Sequence, residues 1–133
     1  MHSKRVTIDS NVYLSALLFG GNPRRVVEAA LLGGQPIVIS EEIFTEMLKV
    51  ISRKFPKFLG EYHAFEVILR ENTICVPLGS VSIYVCRDAK DNMILETAVI
   101  GGCSLIITGD KDLCALGTYK NITISTPAAI LNI

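Results

Sequence analysis

The chain has 133 residues, of which 50% are hydrophobic and 20% charged, and its 13 basic side chains balance 13 acidic ones. A chain this long and apolar can bury a substantial core, so we predict one domain over residues 1–133 and exclude intrinsic disorder. Zero net charge excludes a diffusely basic nucleic-acid-binding surface. No apolar run predicts an export signal or a membrane span, so we expect a cytoplasmic protein without membrane contact.

The first half of the chain alternates β-branched runs with helical patterns. Residues 5–8 are a predicted strand, and residues 11–19 a helix that Gly20-Gly21 ends. Asn22 and Pro23 then fit the N-cap and the first position of a second helix, which runs to about Leu32. The elements that follow are a strand and two helices: residues 36–39, 41–54 and 56–70.

The second half is built around one strongly apolar strand, residues 104–108, which is apolar on both faces like a central parallel strand. A helix that is apolar nearly all round precedes it, beginning near Asp88 to Asp91 and ending at Gly101-Gly102. The remaining elements are short: extended pieces at 74–76 and 81–86, a strand at 122–124, and a helix after Pro127. Strands that alternate with helices predict an α/β fold with a parallel sheet.

All five aspartates follow a predicted strand or begin a predicted helix, whereas the eight glutamates are spread over helices. The aspartates are Asp9, Asp88, Asp91, Asp110 and Asp112. Aspartate also favours turns and N-caps, a role that Asp88, Asp91 and Asp112 each fit on their own. Asp9 and Asp110 instead end apolar strands, and in an open α/β sheet the carboxyl ends of the strands converge on the ligand site.

Several carboxylates brought together repel one another unless a cation lies between them. A set of oxygen ligands suits Mg²⁺ or Mn²⁺ rather than zinc. Such ions activate water for attack on phosphorus and stabilise the charge that develops on the oxygens. The aspartate pattern therefore predicts a metal-dependent enzyme that hydrolyses phosphate esters.

Four segments resemble the successive motifs of the PIN-domain family. They are Val6-Thr7-Ile8-Asp9-Ser10-Asn11-Val12, Ile37-Val38-Ile39-Ser40 with Glu46, Arg87-Asp88-Ala89-Lys90-Asp91-Asn92, and Ile107-Thr108-Gly109-Asp110-Lys111-Asp112-Leu113. The most similar group comprises toxin components of toxin–antitoxin systems, relatives of the VapC ribonucleases. The resemblance implies a PIN-like (Rossmann-like) three-layer α/β/α sandwich with a central, mainly parallel sheet. It also implies a Mg²⁺- or Mn²⁺-dependent endoribonuclease acting on RNA, a homodimer, and a cognate antitoxin as partner.

The same resemblance assigns roles to individual residues. Four carboxylates match the metal ligands and catalytic acids of the family: Asp9, Glu46, Asp91 and Asp110. Three further residues match supporting positions: Asn11 and Thr108, which orient ligands, and Asp112, which acts through a second metal ion or a water. On a helical wheel Glu46 lies nearer the buried face than Glu42; its alternative role is a surface ion pair with Lys49 or Arg53.

Basic residues near these motifs are candidates for contact with the RNA backbone. They are Arg24, Arg25, Arg53 and Lys54, and their alternative role is that of solvated charges on helix faces.

Two other functions remain open. A phosphatase of the haloacid-dehalogenase type also carries an aspartate after its first strand, but it needs a second one two residues later, where this chain has Asn11. A non-catalytic PIN module that binds RNA or protein is the other alternative, and it predicts the loss of a carboxylate. All four matched carboxylates are present, so the sequence favours catalysis.

Overall fold

Six strands form one sheet in the computed structural model, which describes residues 4–131. In chain order the strands are β1 (Arg5–Ile8), β2 (Ile37–Ser40), β3 (Ile74–Val76), β4 (Cys103–Ile107), β5 (Thr118–Tyr119) and β6 (Ile122–Ser125). They lie in the order β3-β2-β1-β4-β6-β5, and every neighbouring pair is parallel except β5 and β6. The winding reverses between β1 and β4, which is where open α/β sheets bind ligands.

Helices cover the sheet on both faces, as the α/β/α prediction requires. They are α1 (Ser10–Leu18), α2 (Gly21–Leu32), α3 (Glu41–Lys54), α4 (Leu59–Asn72), α5 (Ala89–Ile100), α6 (Lys111–Leu116) and α7 (Pro127–Leu131), with a 3₁₀ turn at Pro56–Phe58. Helix α5 packs across β1, β2 and β4. All of β2 is buried, and the alternation of side chains along a strand places its residues on both faces. The predicted three-layer sandwich with a mainly parallel sheet is confirmed.

The contact between α5 and β2 is close because α5 ends at a glycine. A Cβ at Gly101 would collide with the side chain of Val38, which is fully buried. One turn earlier, the Thr97 hydroxyl lies 3.1 Å from Ser40 Oγ, so a polar pair is satisfied inside the interface. Helix α5 is therefore fixed against the sheet at its carboxyl end, while its amino end reaches the edge where β1 and β4 finish.

The predicted N-cap of α2 is wrong, and two further local features were not predicted. Helix α2 begins at Gly21 with Gly20 as its N-cap, not Asn22, because Gly20 adopts a φ of 77° that lets the chain turn directly out of α1. Residues 81–86 form no strand; the Asn92 side chain instead holds the backbone at Cys86. Strand β5 is an additional element, paired with β6 through a turn at Lys120 and Asn121, both with positive φ.

No helix within residues 4–131 combines the length and the apolar character needed to cross a membrane. The four cysteines have free thiols, with Cys103 buried and Cys75 exposed.

Candidate metal centre

The ends of β1 and β4 are joined by a hydrogen-bonded chain of polar groups. The Asp9 backbone N–H donates to the Ile107 carbonyl at 2.9 Å, and the Thr108 hydroxyl donates to Asp9 Oδ2 at 2.8 Å. Thr108 Oγ1 also accepts a hydrogen bond from the Asp110 backbone N–H at 3.0 Å. Asp9 and Thr108 are both buried. One hydroxyl thus positions the first predicted carboxylate and the backbone of the fourth.

Three carboxylates from the starts of two helices, α5 and α6, meet at this edge. One oxygen from each of Asp91, Asp110 and Asp112 lies within 4.8 Å of the others. Asp91 is buried in the first turn of α5, whereas Asp110 is partly buried and Asp112 is exposed. Asp110 Oδ1 also accepts a hydrogen bond from the Leu113 backbone N–H at 2.9 Å, so this side chain is the N-cap of α6.

The surroundings of Asp91 and Asp9 oppose the charged forms of these two carboxylates. Burial, and then the charge of Asp110 and smaller contributions from other aspartates, raises the pKa of Asp91 to about 6. Burial also raises the pKa of Asp9, although the hydrogen bond from Thr108 partly offsets that effect. Oxygen donors that are buried and mutually repelling fit a hard divalent cation, because the ion would stabilise their charged forms.

The sequence profile of the PIN domain family matches residues 5–112. The chain belongs to the PIN domain family. No curated protein sequence matches the chain at a significant level. Among solved structures, a chain from the crystal structure of VapBC2 from Rickettsia felis bound to a DNA fragment from their promoter superposes with a TM-score of 0.65. The superposition covers 92% of this chain and 98% of that chain at 11% identity, so the likeness concerns the fold.

Within this PIN domain Glu46 lies apart from the three-carboxylate group. Its side chain is 15% exposed, on α3, and its Oε1 lies 2.8 Å from Lys90 Nζ. Neither Lys49 nor Arg53 is its partner among the ion pairs of the described residues. Lys90 was not among the predicted site residues; the available signal was its place directly before Asp91 in the motif at 87–92.

The segment before α5 is shaped to present Asp91. Asn92 Oδ1 accepts from the Cys86 backbone N–H and its Nδ2 donates to the Cys86 carbonyl, both at 2.8 Å. Asp88 Oδ1 accepts from the Lys90 backbone N–H at 3.0 Å, which confirms the prediction that Asp88 is an N-cap. Arg87, in the same segment, approaches the cluster at Asp112: its Nη2 lies 3.8 Å from Asp112 Oδ2.

The remaining predicted site residues of this PIN domain are outside the three-carboxylate group. Arg24 donates to the carbonyls of Ala16 and Leu17, at 2.9 and 3.3 Å, and so caps the carboxyl end of α1. Arg25 donates to Asn22 Oδ1 at 3.5 Å. In the part of the chain that the structure describes, no ion pair links the predicted RNA contacts to the acidic group. The predicted RNA contacts are Arg24, Arg25, Arg53 and Lys54. Asn11, which was predicted to orient a ligand, is exposed and lines a cleft together with Asp110.

Proposed function

We propose that this PIN domain is a Mg²⁺- or Mn²⁺-dependent endoribonuclease that hydrolyses phosphodiester bonds in RNA. The observation that carries the proposal is the meeting of Asp91, Asp110 and Asp112 within 4.8 Å at the carboxyl edge of the sheet. The raised pKa of Asp91 supports it, since a buried acid with like charges around it is typical of a catalytic or metal site.

We assign metal ligation to Asp91 and Asp110, where the sequence motifs and the cluster coincide, with Asp112 as the third carboxylate of that cluster. Asp9 and Glu46 complete the acidic site beside it, as ligands or through bound water. Asp9 suits this role because its charge raises the pKa of Asp91, which places it within electrostatic reach of the cluster. Thr108 and Asn11 act as positioning groups, the first through its hydrogen bond to Asp9.

When bound, the ion supplies a water of lowered pKa and a Lewis acid for the phosphate oxygens. The chain's own groups do the rest. One of the carboxylates of the site, or a water that they orient, would help to deprotonate the attacking water. The pKa of Asp91, about 6 without the ion, reflects a charge that a bound cation would stabilise. Lys90, held 2.8 Å from Glu46, places a positive charge where a substrate phosphate approaches an otherwise acidic edge.

The decisive experiment compares Asp110→Asn with Asp88→Asn. Both aspartates are N-caps and asparagine caps equally well, so both variants keep their helices, but only Asp110 belongs to the carboxylate cluster. We expect Asp110→Asn to slow cleavage of single-stranded RNA by more than about 100-fold, and Asp88→Asn to change it by only a few-fold. Equal activity in both variants overturns the assignment. Metal-independent RNA binding without cleavage by the wild type favours the non-catalytic module.

We further propose that the protein is the toxin of a toxin–antitoxin pair, acts in the cytosol and forms a homodimer. The fold likeness to a chain of a VapBC2 crystal structure supports this proposal. So do large apolar side chains left exposed at the ends of α1 and α2 and on α4: Phe19 (74%), Leu32 (88%), Val67 and Ile68. Sedimentation equilibrium should give twice the 14.5 kDa chain mass, and a monomer at all concentrations contradicts the dimer.

A further inference from the structure

A cleft of about 690 Å³ opens directly beside the carboxylate cluster. Its walls come from the amino-terminal parts of α1, α2 and α7 and from the loop after β4. Asp110 and Asp112 belong both to the cleft and to the cluster, so the two sites share a wall. The volume falls in the range that holds small organic ligands.

The lining of the cleft combines flat apolar surface with neutral hydrogen-bonding groups. Val12, Pro23 and Pro127 supply apolar walls, and Ser15 and Asn22 supply a hydroxyl and an amide. A nucleobase needs this combination, because its faces are apolar and its edges carry donors and acceptors. Apart from Asp110 and Asp112 on the shared wall, Lys111 is the one charged group among the described lining residues.

We propose that this cleft is a nucleobase subsite, which receives the base of the nucleotide next to the scissile phosphodiester, with Ser15 and Asn22 as specificity-determining residues. The proposal rests on the proposed ribonuclease function, because the shared wall places a base in the cleft when a phosphate lies at the cluster. Lys111, beside Asp110, is placed to contact the adjoining phosphate. The cleavage of this protein then depends on the identity of one base flanking the cut.

A matched pair of substitutions on α7 tests the subsite. Ala128 lines the cleft and Ala129 does not, yet both are exposed. The Ala128→Trp variant should therefore fill the cleft, whereas Ala129→Trp adds the same bulk outside it. The probe is a fluorescein-labelled single-stranded RNA of about nine nucleotides, in versions with one abasic position each, and binding is read by anisotropy with Ca²⁺ in place of Mg²⁺.

For the wild type and Ala129→Trp we expect one abasic position to weaken binding by about tenfold, the usual order for loss of one base contact. For Ala128→Trp we expect the intact RNA to bind about tenfold more weakly and that position to lose its effect. Uniform effects of abasic positions, no detectable binding, or equal binding by the two variants overturns the subsite. This experiment reads binding and not cleavage. If the protein binds RNA with one sensitive position but never cleaves it, the ribonuclease proposal is refuted and the subsite proposal stands.

The specificity role of Asn22 has its own test. With each of the four bases at the sensitive position, Asn22→Ala should flatten the differences in affinity that the wild type shows. The control is Gln35→Ala, an exposed amide just before β2, at the opposite edge of the sheet. Retained base preference in Asn22→Ala, or equal loss in both variants, contradicts the role of Asn22.

Discussion

The Thr108 hydroxyl donates a 2.8 Å hydrogen bond to Asp9 Oδ2, and so ties together two buried side chains that are 99 residues apart in the sequence. Because Thr108 Oγ1 also accepts from the Asp110 backbone, one side chain links β1, β4 and the N-cap of α6. This arrangement makes Thr108 the support of the acidic site rather than a part of its chemistry.

Replacing Thr108 with valine should weaken metal binding by about 10- to 100-fold, the usual cost of removing a group that orients a ligand. The physical reason is that the lost hydrogen bond raises the pKa of Asp9 further and frees the Asp110 backbone. Calorimetric titration with Mn²⁺ measures the change. Thr7→Val is the matched control, since the Thr7 hydroxyl is also buried but donates to the Val38 carbonyl at 2.8 Å. A similar loss of metal affinity in both variants would mean that Thr108 acts only through stability.

The raised pKa of Asp91 makes the stability of the metal-free protein depend on pH. Unfolded aspartate has a pKa near 4, and the folded value is about 6, so the folded state holds the extra proton between these values. Stability from this group is therefore present at low pH and is lost as pH rises through about 6. In chelator, the urea midpoint of the wild type should fall between about pH 5 and about pH 7.5, and that of Asp91→Asn should fall less. Equal falls in both proteins would mean that Asp91 does not cause the pH dependence.

Lys90 should affect metal and RNA in opposite directions. Its ammonium pairs with Glu46 and lies close enough to Asp9 for their charges to interact, so it opposes cations and favours phosphates at the same edge. Lys90→Met should therefore tighten Mn²⁺ binding and weaken RNA binding, each by about two- to fivefold, as expected for a partly exposed charge. Lys49→Met, on the exposed side of α3, is the control. If both affinities change in the same direction, Lys90 does not act through its charge.

The close approach of α5 to the sheet predicts that Gly101→Ala destabilises the protein by about 1–3 kcal/mol, since the new methyl group must displace the buried Val38 side chain. Gly60→Ala is the comparison, because nothing lies within 4 Å of a Cβ at Gly60 in α4. It should be neutral or stabilising by up to about 1 kcal/mol. Chemical denaturation of the two variants measures both changes in the free energy of unfolding. A Gly101→Ala variant as stable as the wild type contradicts the close packing of α5 against β2.

The layered fold could be predicted from the sequence because its signals are local. A parallel sheet is indicated by two local patterns. One is the strand that is apolar on both faces, predicted at 104–108 and observed at Cys103–Ile107, and the other is the buried helix before it. The errors lie where tertiary contacts decide. The N-cap of α2 depends on the positive φ of Gly20. The conformation at the end of segment 81–86 depends on hydrogen bonds between the Asn92 side chain and the Cys86 backbone. The hydrophobic periodicity of the sequence predicts neither feature.

The candidate site was predictable in type but not in detail. Aspartates at strand ends converge because parallel strands share an edge, so Asp9 and Asp110 could be placed at one edge from their positions. Asp91, in the first turn of α5, was added to them through the family resemblance. The nearness of Asp112 to both, the pairing of Glu46 with Lys90, and the use of Arg24 to cap α1 depend on rotamers and helix orientation. Those features become visible only when the chain is folded.

The chemistry of the RNA ends shows directly whether this protein is a metal-dependent ribonuclease. Purified protein is incubated with single-stranded RNA in Mg²⁺, in Mn²⁺ and in chelator, and the products are analysed by mass spectrometry beside those from Asp110→Asn. Hydrolysis by an activated water leaves linear monophosphate ends, whereas attack by the neighbouring ribose hydroxyl leaves cyclic phosphates. We predict linear ends, formed only with metal and lost in Asp110→Asn. Cyclic phosphate ends, cleavage in chelator, or full activity in Asp110→Asn would contradict a metal-dependent ribonuclease centred on Asp91 and Asp110.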